Sequence, residues 1–411
     1  MSVQPTPSPQ DDSDARKWGY FLLGLLTALV VFTLGVGSMR IYEARNGAAL
    51  TILPSGDKQE DEPVDTALLD EAWRIIREDY YGPLPSKQKR TYGAIKGSVQ
   101  SLDDPYTYFI EPEPAVREQE RLQGKFGGIG AYLVLDEQGR VVLEPMVDRP
   151  AQKAGILKGD ILIAVDGHDI ATPADLNAVT DIIRGEVGSN VTLTVQRGAS
   201  QLDIVVKRAE IELPSVTWRS LEEAPQIGYI RIERFSVLTD REFSQAMGEL
   251  AAADADIGLV IDLRGNPGGL VDAAVAVADH FLAGGVVLIE RYADGSEKRC
   301  EAKNHTTIPQ DTPVVVLVDG NTASAAEILA GAMQDRRRAT LVGEKTYGKG
   351  SIQRIHRLSD GSAIHVTFAK WFTPNNRAID GHGLEPDITV ASNPDYDSYL
   401  KKALALLSGD E

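Results

Sequence analysis

The sequence predicts a multidomain α/β protein with an N-terminal transmembrane helix, a small helical module, a β-rich middle and an α/β core built on a largely parallel sheet. Three observations predict it. Residues 18–39 are apolar and carry no charge. From Phe126 the hydrophobic period falls towards two. Beyond Ile211, apolar strand-like runs alternate with helix-like ones.

The totals set the limits. A chain of 411 residues has room for two or three domains. Its 60 acidic and 42 basic residues leave a formal charge of −18, which argues against a broad phosphate-binding face and against nucleic acid as a partner. The single cysteine, Cys300, rules out an intrachain disulfide and a cysteine-based metal site. Six histidines are scattered without HExxH spacing, so neither a metal nor a cofactor is expected.

Residues 1–17, "MSVQPTPSPQDDSDARK", read as a disordered tail. Residues 18–39, "WGYFLLGLLTALVVFTLGVGSM", are long enough to cross a hydrocarbon core of roughly 30 Å. A cleaved signal peptide is the rival, but it would have a shorter apolar core and an Ala-x-Ala site, and none is evident. An uncleaved single-pass anchor is the expectation. Arg16 and Lys17 on one side are matched by Arg40 and Arg45 on the other, so charge marks its orientation poorly.

Residues 40–63 form a polar tether. Residues 64–113 read as the helical module. Its first helix carries a stripe of Leu68, Leu69, Ala72, Trp73, Ile75 and Ile76 and stops at Gly82-Pro83; Trp73 and the tyrosines there read as core. A second helix, "KRTYGAIKGSVQSL", runs into the Pro-broken "DDPYTYFIEPEP".

Residues 114–208 hold "FGGIGAYLVLDEQGRVVLEPMV", a hairpin pattern, then "AGILKGDILIAVDG", the amphipathic "PADLNAVTDIIRG" and the strand "SNVTLTVQRG". That order resembles a PDZ domain. Such a module captures a peptide C-terminus on loop N–H groups and pairs it with a sheet edge. Gly127, Gly128, Ile129 and Gly130 match the peptide-binding loop by position, and Ala131 stands where a second bulky apolar residue is usual. The bland alternative is a glycine hairpin without a ligand.

Residues 209–393 alternate strands ("IGYIRIERF", "IGLVIDLRG", "TPVVVLVDG", "ATLVG") with helices, and residues 394–411 read as a C-terminal helix. Ligands in such folds bind beyond the carboxyl ends of the strands. "DLRGNPGGL" (residues 262–270) and "DGNTASAAEI" stand at two of those ends. Ser324 opens the helix in the second, where backbone N–H groups favour a developing oxyanion. The bland reading of Ser324 is a helix N-cap.

A nucleophilic serine needs a base. His280, His305, His356, His365 and His382 are candidates, none in a distinctive setting, and there is no Gly-x-Ser-x-Gly elbow. Lys349 in "GEKTYGKGSIQ" is the other candidate: desolvated and neutral, it could accept the serine proton. Gln353, four residues on, would share its face if the stretch is helical. "GEKTYGKGS" also nearly matches a phosphate-cradling P-loop, but Gly350 occupies the position of the magnesium-binding hydroxyl. A separate Ser-x-x-Lys string, Ser55 to Lys58, falls in the tether and reads as chance.

"LRGNPGG", "NTASAAEILAGAMQD" and "GEKTYGKGSIQ" resemble the three signature blocks of the carboxyl-terminal processing peptidases, or tail-specific proteases. The likeness spans about residues 64 to 390. It implies a serine protease core in which Ser324 is the nucleophile, Lys349 the general base and Gln353 the residue that positions the lysine. The backbone of Gly268 or Gly269 and of Ala325 falls at the implied oxyanion hole. Family members often have a serine where Ala326 stands.

The resemblance implies a membrane-anchored serine endopeptidase on the extracytoplasmic side, acting on protein substrates with nonpolar C-terminal tails delivered by the PDZ module. A homo-oligomer or an adaptor protein fits the same family picture. The alternative is an inactive membrane-tethered peptide-binding scaffold.

Overall fold

A computed structural model describes residues 65–252 and 258–409. The expected tail, the anchor at residues 18–39, the tether and the Ser55–Lys58 string lie outside the described residues. Among those described, no helix is long and apolar enough to cross a membrane.

The chain parts into two compact units between Leu84 and Pro85. In the first, helix Thr66–Asp79 starts where Asp65 Oδ1 accepts the N–H groups of Ala67 (3.0 Å) and Leu68 (3.2 Å). None of its residues is buried, and Tyr80 and Tyr81 are exposed, unlike the core positions the sequence suggests.

In the second unit, helix Lys87–Gln100 is capped by Ser86. Helix Pro112–Gln123 opens on proline, whose missing N–H costs nothing at a helix start, and ends on the left-handed Gly124 (φ 70°). The β-rich middle is a six-stranded antiparallel sheet. Its order runs Ala131–Leu135, Val141–Pro145, Asp160–Val165, Asn190–Arg197, Ser200–Lys207, with His168–Asp169 beside the third. Helix Leu176–Ile183 packs Val179 and Ile183 onto a core of Val141, Leu143, Ile156, Val191, Leu193 and Val195. Strand Ala131–Leu135 pairs on one side only, so its other edge is open towards that helix.

The core sheet has six strands in the order Val216–Leu221, Ala224–Ile232, Gly258–Asp262, Val314–Val318, Thr340–Gly343, Ile388–Thr389. The first pair is antiparallel and the rest are parallel. The continuous apolar runs therefore mean burial on both faces. The C-terminal helix Ser398–Ser408 covers one face, and helices Thr239–Ala252, Val271–Phe281 and Ala325–Asp335 cover the other.

A second sheet, antiparallel and five-stranded, makes the architecture mixed. It joins Tyr108–Ile110, Ala363–Phe372, Gly285–Tyr292 and Glu297–Ala302, with Ser351–Arg357 paired to Ala363–Phe372. Helices Val271–Phe281 and Ala325–Asp335 lie between the two sheets, which explains the small, nonpolar "AAEILAGA": a helix walled on both sides is apolar all round. At Gly331 even a Cβ would come within 3.0 Å of Thr373.

One ionic cluster ties the parallel sheet to the C-terminal helix. Asp262 is fully buried at its strand end and accepts from Tyr229 Oη (2.6 Å), Arg264 Nε (2.9 Å) and Arg264 Nη2 (2.6 Å). The same guanidinium grips Asp397, the N-cap of Ser398–Ser408, at 2.7 and 2.9 Å. Burial, then the Asp262 charge, pushes the Tyr229 hydroxyl up to about 12. Arg264→Ala strips Asp262 of its main counter-charge, and urea unfolding should show a loss of about 3–5 kcal/mol. A loss below about 1 kcal/mol would mean that Tyr229 and Arg231 suffice to hold the carboxylate.

Candidate active site

Three loops meet beyond the carboxyl ends of the parallel strands. The first, residues 263–270, is shaped by Asn266, fully buried, whose Nδ2 donates to the Ile232 carbonyl (2.8 Å) and whose Oδ1 accepts the Gly268 N–H (2.8 Å). The Asn266 carbonyl accepts the Ala323 N–H (2.9 Å), stitching this loop to the second. Thr322, also fully buried, adds a bond from its Oγ1 to the Leu263 carbonyl (2.9 Å), and its own carbonyl accepts the Tyr347 N–H of the third loop (3.0 Å).

Ser324 is the N-cap residue of helix Ala325–Asp335 and has φ 56°, ψ −118°, a conformation L-residues rarely hold. Such a backbone costs about 1–3 kcal/mol and persists only where its surroundings over-determine it. It is a strained turn between strand Val314–Val318 and helix Ala325–Asp335, formed without a Gly-x-Ser-x-Gly pattern. Gly268 makes room for it: a Cβ there would lie 2.8 Å from the Ser324 Cβ and 3.0 Å from the Ala325 nitrogen.

The two glycines differ in what their N–H groups do. That of Gly268 is taken by Asn266. None of the described residues accepts from Gly269, whose φ of 138° presses it against the Phe235 carbonyl. Ala325, the first helical residue, has no intrahelical acceptor for its N–H.

The third loop follows strand Thr340–Gly343 and carries Lys349. Its anchor is Glu327, fully buried in the serine helix. Glu327 Oε2 accepts the N–H groups of Ser324 (2.9 Å) and Lys349 (2.9 Å). Its Oε1 accepts those of Gly348 (2.7 Å) and the Thr346 hydroxyl. One carboxylate thus holds the backbones of Ser324 and Lys349 together. It also fills the concavity where a P-loop would seat a phosphate, and the lysine loop runs into a strand, not a helix, so the nucleotide reading has no site. Trp371, buried, donates Nε1 to the Lys349 carbonyl (2.9 Å) and fixes the loop from the second sheet.

The Lys349 side chain is half-buried, with Nζ 5.3 Å from the centroid of the Tyr106 ring. Burial pushes its amine below the ordinary lysine range, and the Glu118 carboxylate opposes that shift. Gln353 sits in strand Ser351–Arg357, not in a helix. Its amide donates to Ser351 Oγ (2.6 Å) and reaches Thr367 Oγ1 (3.5 Å). Among the described residues no hydrogen bond joins Lys349 Nζ to Ser324 Oγ or to Gln353.

The histidines are engaged elsewhere. His280 contacts Thr307 and Asp240, His365 contacts Glu118, His382 contacts the Asp380 carbonyl, His305 pairs with Asp279, and His356 is exposed on its strand. None of them hydrogen-bonds to Ser324.

In the β-rich middle, Gly127 and Gly128 belong to strand Lys125–Gly128, paired with Ala209–Glu212; a Cβ on Gly127 would strike the Gly185 carbonyl at 1.9 Å. Ile129 is buried in the module's core, and Gly130 turns the chain at φ 68° into the open-edged strand.

Asn266, Thr322, Glu327 and Tyr106 are absent from the sequence-based site. Only Glu327 leaves a local signal: Ser324-x-x-Glu327 is the capping-box spacing.

Comparison with known proteins identifies the family. The model of peptidase family S41 matches residues 226–390, and that of a PDZ domain matches residues 127–207. A probable CtpA-like serine protease of Staphylococcus epidermidis is 36% identical over 401 residues, covering 97% of this chain and 78% of the relative. The carboxy-terminal processing protease CtpA of Bacillus subtilis is 34% identical over 402 residues, covering 96% of this chain and 82% of its own. Among solved structures, a photosystem II D1 C-terminal processing protease is 32% identical, covers 84% of this chain and 94% of its own, and superposes with a TM-score of 0.48.

Glu327→Ala would leave four donors facing a cavity. Urea unfolding is expected to show a loss of about 2–5 kcal/mol. Stability within about 0.5 kcal/mol of the parent would show that water replaces the carboxylate and that the three loops do not depend on it.

Proposed function

Because this chain belongs to peptidase family S41 and is a serine endopeptidase of its carboxy-terminal processing proteases, with a PDZ domain, we propose that Ser324 and Lys349 form its catalytic dyad. The observation that carries the reading is the shared Glu327 carboxylate, bonded to the backbone of both residues. Desolvation supplies the rest: a buried amine loses its proton more readily than an exposed one and can act as a base.

The neutral Lys349 amine takes the Ser324 hydroxyl proton as Oγ adds to the scissile carbonyl. The resulting oxyanion lies against the N–H groups of Gly269 and Ala325, the two that no described residue uses. Collapse of the intermediate breaks the C–N bond, and the lysine ammonium returns its proton to the departing amine, leaving an acyl-enzyme. Lys349 then deprotonates a water that attacks the ester, and Ser324 leaves with the proton. Gln353 orients the amine once its amide turns from Ser351 and Thr367 towards Lys349.

Substrates in this reading are proteins with nonpolar C-termini. The tail adds to the open edge of Ala131–Leu135 beside helix Leu176–Ile183, its carboxylate at Ile129 and Gly130, which follow the paired strand of Gly127 and Gly128. Residues 18–39 hold the protein in a membrane as a single-pass anchor, with the catalytic part extracytoplasmic, on the strength of 22 uncharged residues. The unburied stripe of helix Thr66–Asp79 supports self-association, with an adaptor as the other occupant of that face.

The test compares the full chain in detergent with Ser324→Ala and Lys349→Ala on a loosely folded protein bearing an apolar tail. Both substitutions should lower kcat/KM by at least about a thousandfold. Full activity in Lys349→Ala would remove the lysine from the mechanism, and inactivity of all three proteins would favour the scaffold reading. The pH profile is a separate check. Since only the neutral amine is the base, kcat/KM should rise with pH along a limb centred below the ordinary lysine value of about 10.4. A limb at or above that value would show that burial does not tune Lys349.

A further inference from the structure

The turn that leads into strand Tyr108–Ile110 of the second sheet is built by its own sequence. In Asp104-Pro105-Tyr106-Thr107 the Asp104 carbonyl accepts the Thr107 N–H (3.2 Å), and proline stands at the second position, where its fixed φ suits such a turn. The Asp104 carboxylate tightens it, accepting the Tyr106 N–H (3.0 Å) and the Thr107 hydroxyl (2.6 Å). Thr107 is buried and its Oγ1 accepts the Thr367 N–H (3.0 Å). From there strand Tyr108–Ile110 pairs with Ala363–Phe372.

Thr367 is also opposite Gln353, in the strand that Lys349 leads into. The turn is therefore fastened to the same part of the sheet as the lysine loop. The face of the Tyr106 ring lies at the Lys349 amine, with Nζ 5.3 Å from the ring centroid. That separation is inside the range of about 6 Å over which an aromatic face attracts a cation. Tyr106 is half-buried, and burial holds its hydroxyl above the ordinary phenol range while it holds the Lys349 amine below the ordinary lysine range. The ring is thus uncharged wherever the lysine titrates.

We propose that Tyr106 is a positioning residue for the serine–lysine reaction: the face of its ring seats the Lys349 amine and stabilises the ammonium that forms when the amine takes the Ser324 proton. Before the reaction the amine is neutral and gains little from the ring. As the proton moves from Ser324 Oγ to Nζ, a cation forms over the π face, and the attraction then acts in full. Shielding from water strengthens it. The charged and titratable groups of the packed elements are committed to other partners. From the serine helix, Glu327 is engaged by four backbone and hydroxyl donors. Asp380 pairs with Lys370 of strand Ala363–Phe372 at 2.8 Å. Glu118 of helix Pro112–Gln123, whose charge also acts on Lys349, is 2.9 Å from His365. Tyr347 of the lysine's own loop is the other phenol and is exposed.

This inference rests on the dyad reading, and the experiment separates the two. In the full chain, the parent is compared with Tyr106→Phe and with a protein carrying a ring-trifluorinated phenylalanine at position 106. Fluorine hardly alters the shape of the ring but drains negative charge from its face. The titration of Lys349 is followed by NMR of 13Cε-labelled lysine, with Lys349→Arg assigning the signal, and kcat/KM against pH is measured in parallel. Tyr106→Phe should leave both curves where they are. The fluorinated ring should move the Lys349 midpoint and the acid limb to lower pH together and cut the alkaline plateau by about two- to thirtyfold. Below the limb the curves should converge, because there the ammonium is present before the reaction as well as during it. A midpoint unmoved by fluorination overturns the proposal, because a purely structural role for the ring leaves it there. A loss already complete in Tyr106→Phe overturns it too, since the hydroxyl would then carry the effect. A midpoint that falls in a protein whose cleavage survives Lys349→Ala upholds the contact at the amine and overturns the dyad reading instead.

Discussion

The buried carboxylate of Glu327 and the four donors around it set most of what the site can be. A charge removed from water must be satisfied on the spot, and here the satisfaction comes from the backbone of Ser324, Gly348 and Lys349 and the hydroxyl of Thr346. These donors belong to two loops that follow different strands, so the carboxylate fixes the start of the serine helix and the path of the lysine loop together. Its position in the first turn of the helix adds the favourable end of the helix dipole. The Ser324 backbone can stay at φ 56° because the conformation is pinned from both sides, by Glu327 and by the close approach of Gly268.

The serine and the lysine also depend on different sheets. Ser324 opens a helix that lies against the parallel sheet, while Lys349 leads into a strand of the antiparallel one and has its carbonyl held by Trp371 of that sheet. Their relative placement is therefore a property of the sandwich. The helix leading to the PDZ domain touches the antiparallel sheet through Glu118 and His365, and Arg117 of the same helix pairs with Asp181 of the PDZ helix.

The parallel sheet, the small-residue helix, the glycine turns and the two loops bearing Ser324 and Lys349 were all legible in the sequence. Their signals are local: a run of "VVVLV" buried on both faces, a nonpolar helix between two walls, and residues placed just after strand ends. Glu327 announced itself only as a capping-box spacing, and nothing in that spacing says that its carboxylate also captures a loop some twenty residues further on.

The antiparallel sheet lay beyond sequence reading because its pairings join distant segments, such as Tyr108 with His365 and Ile289 with Phe372. The strand at Gln353 could pass for a helix face, since four residues do not distinguish the two periods. The same holds for Tyr106 beneath the Lys349 amine and for Glu118 against His365: each contact spans more than 200 residues of chain and carries no local periodicity. By itself the sequence determined which elements form and which residues stand at the strand ends, because burial and turn chemistry act over short stretches. Only the tertiary structure decided which of those residues meet and how far Lys349 is shielded from water, because desolvation and charge depend on what packs nearby.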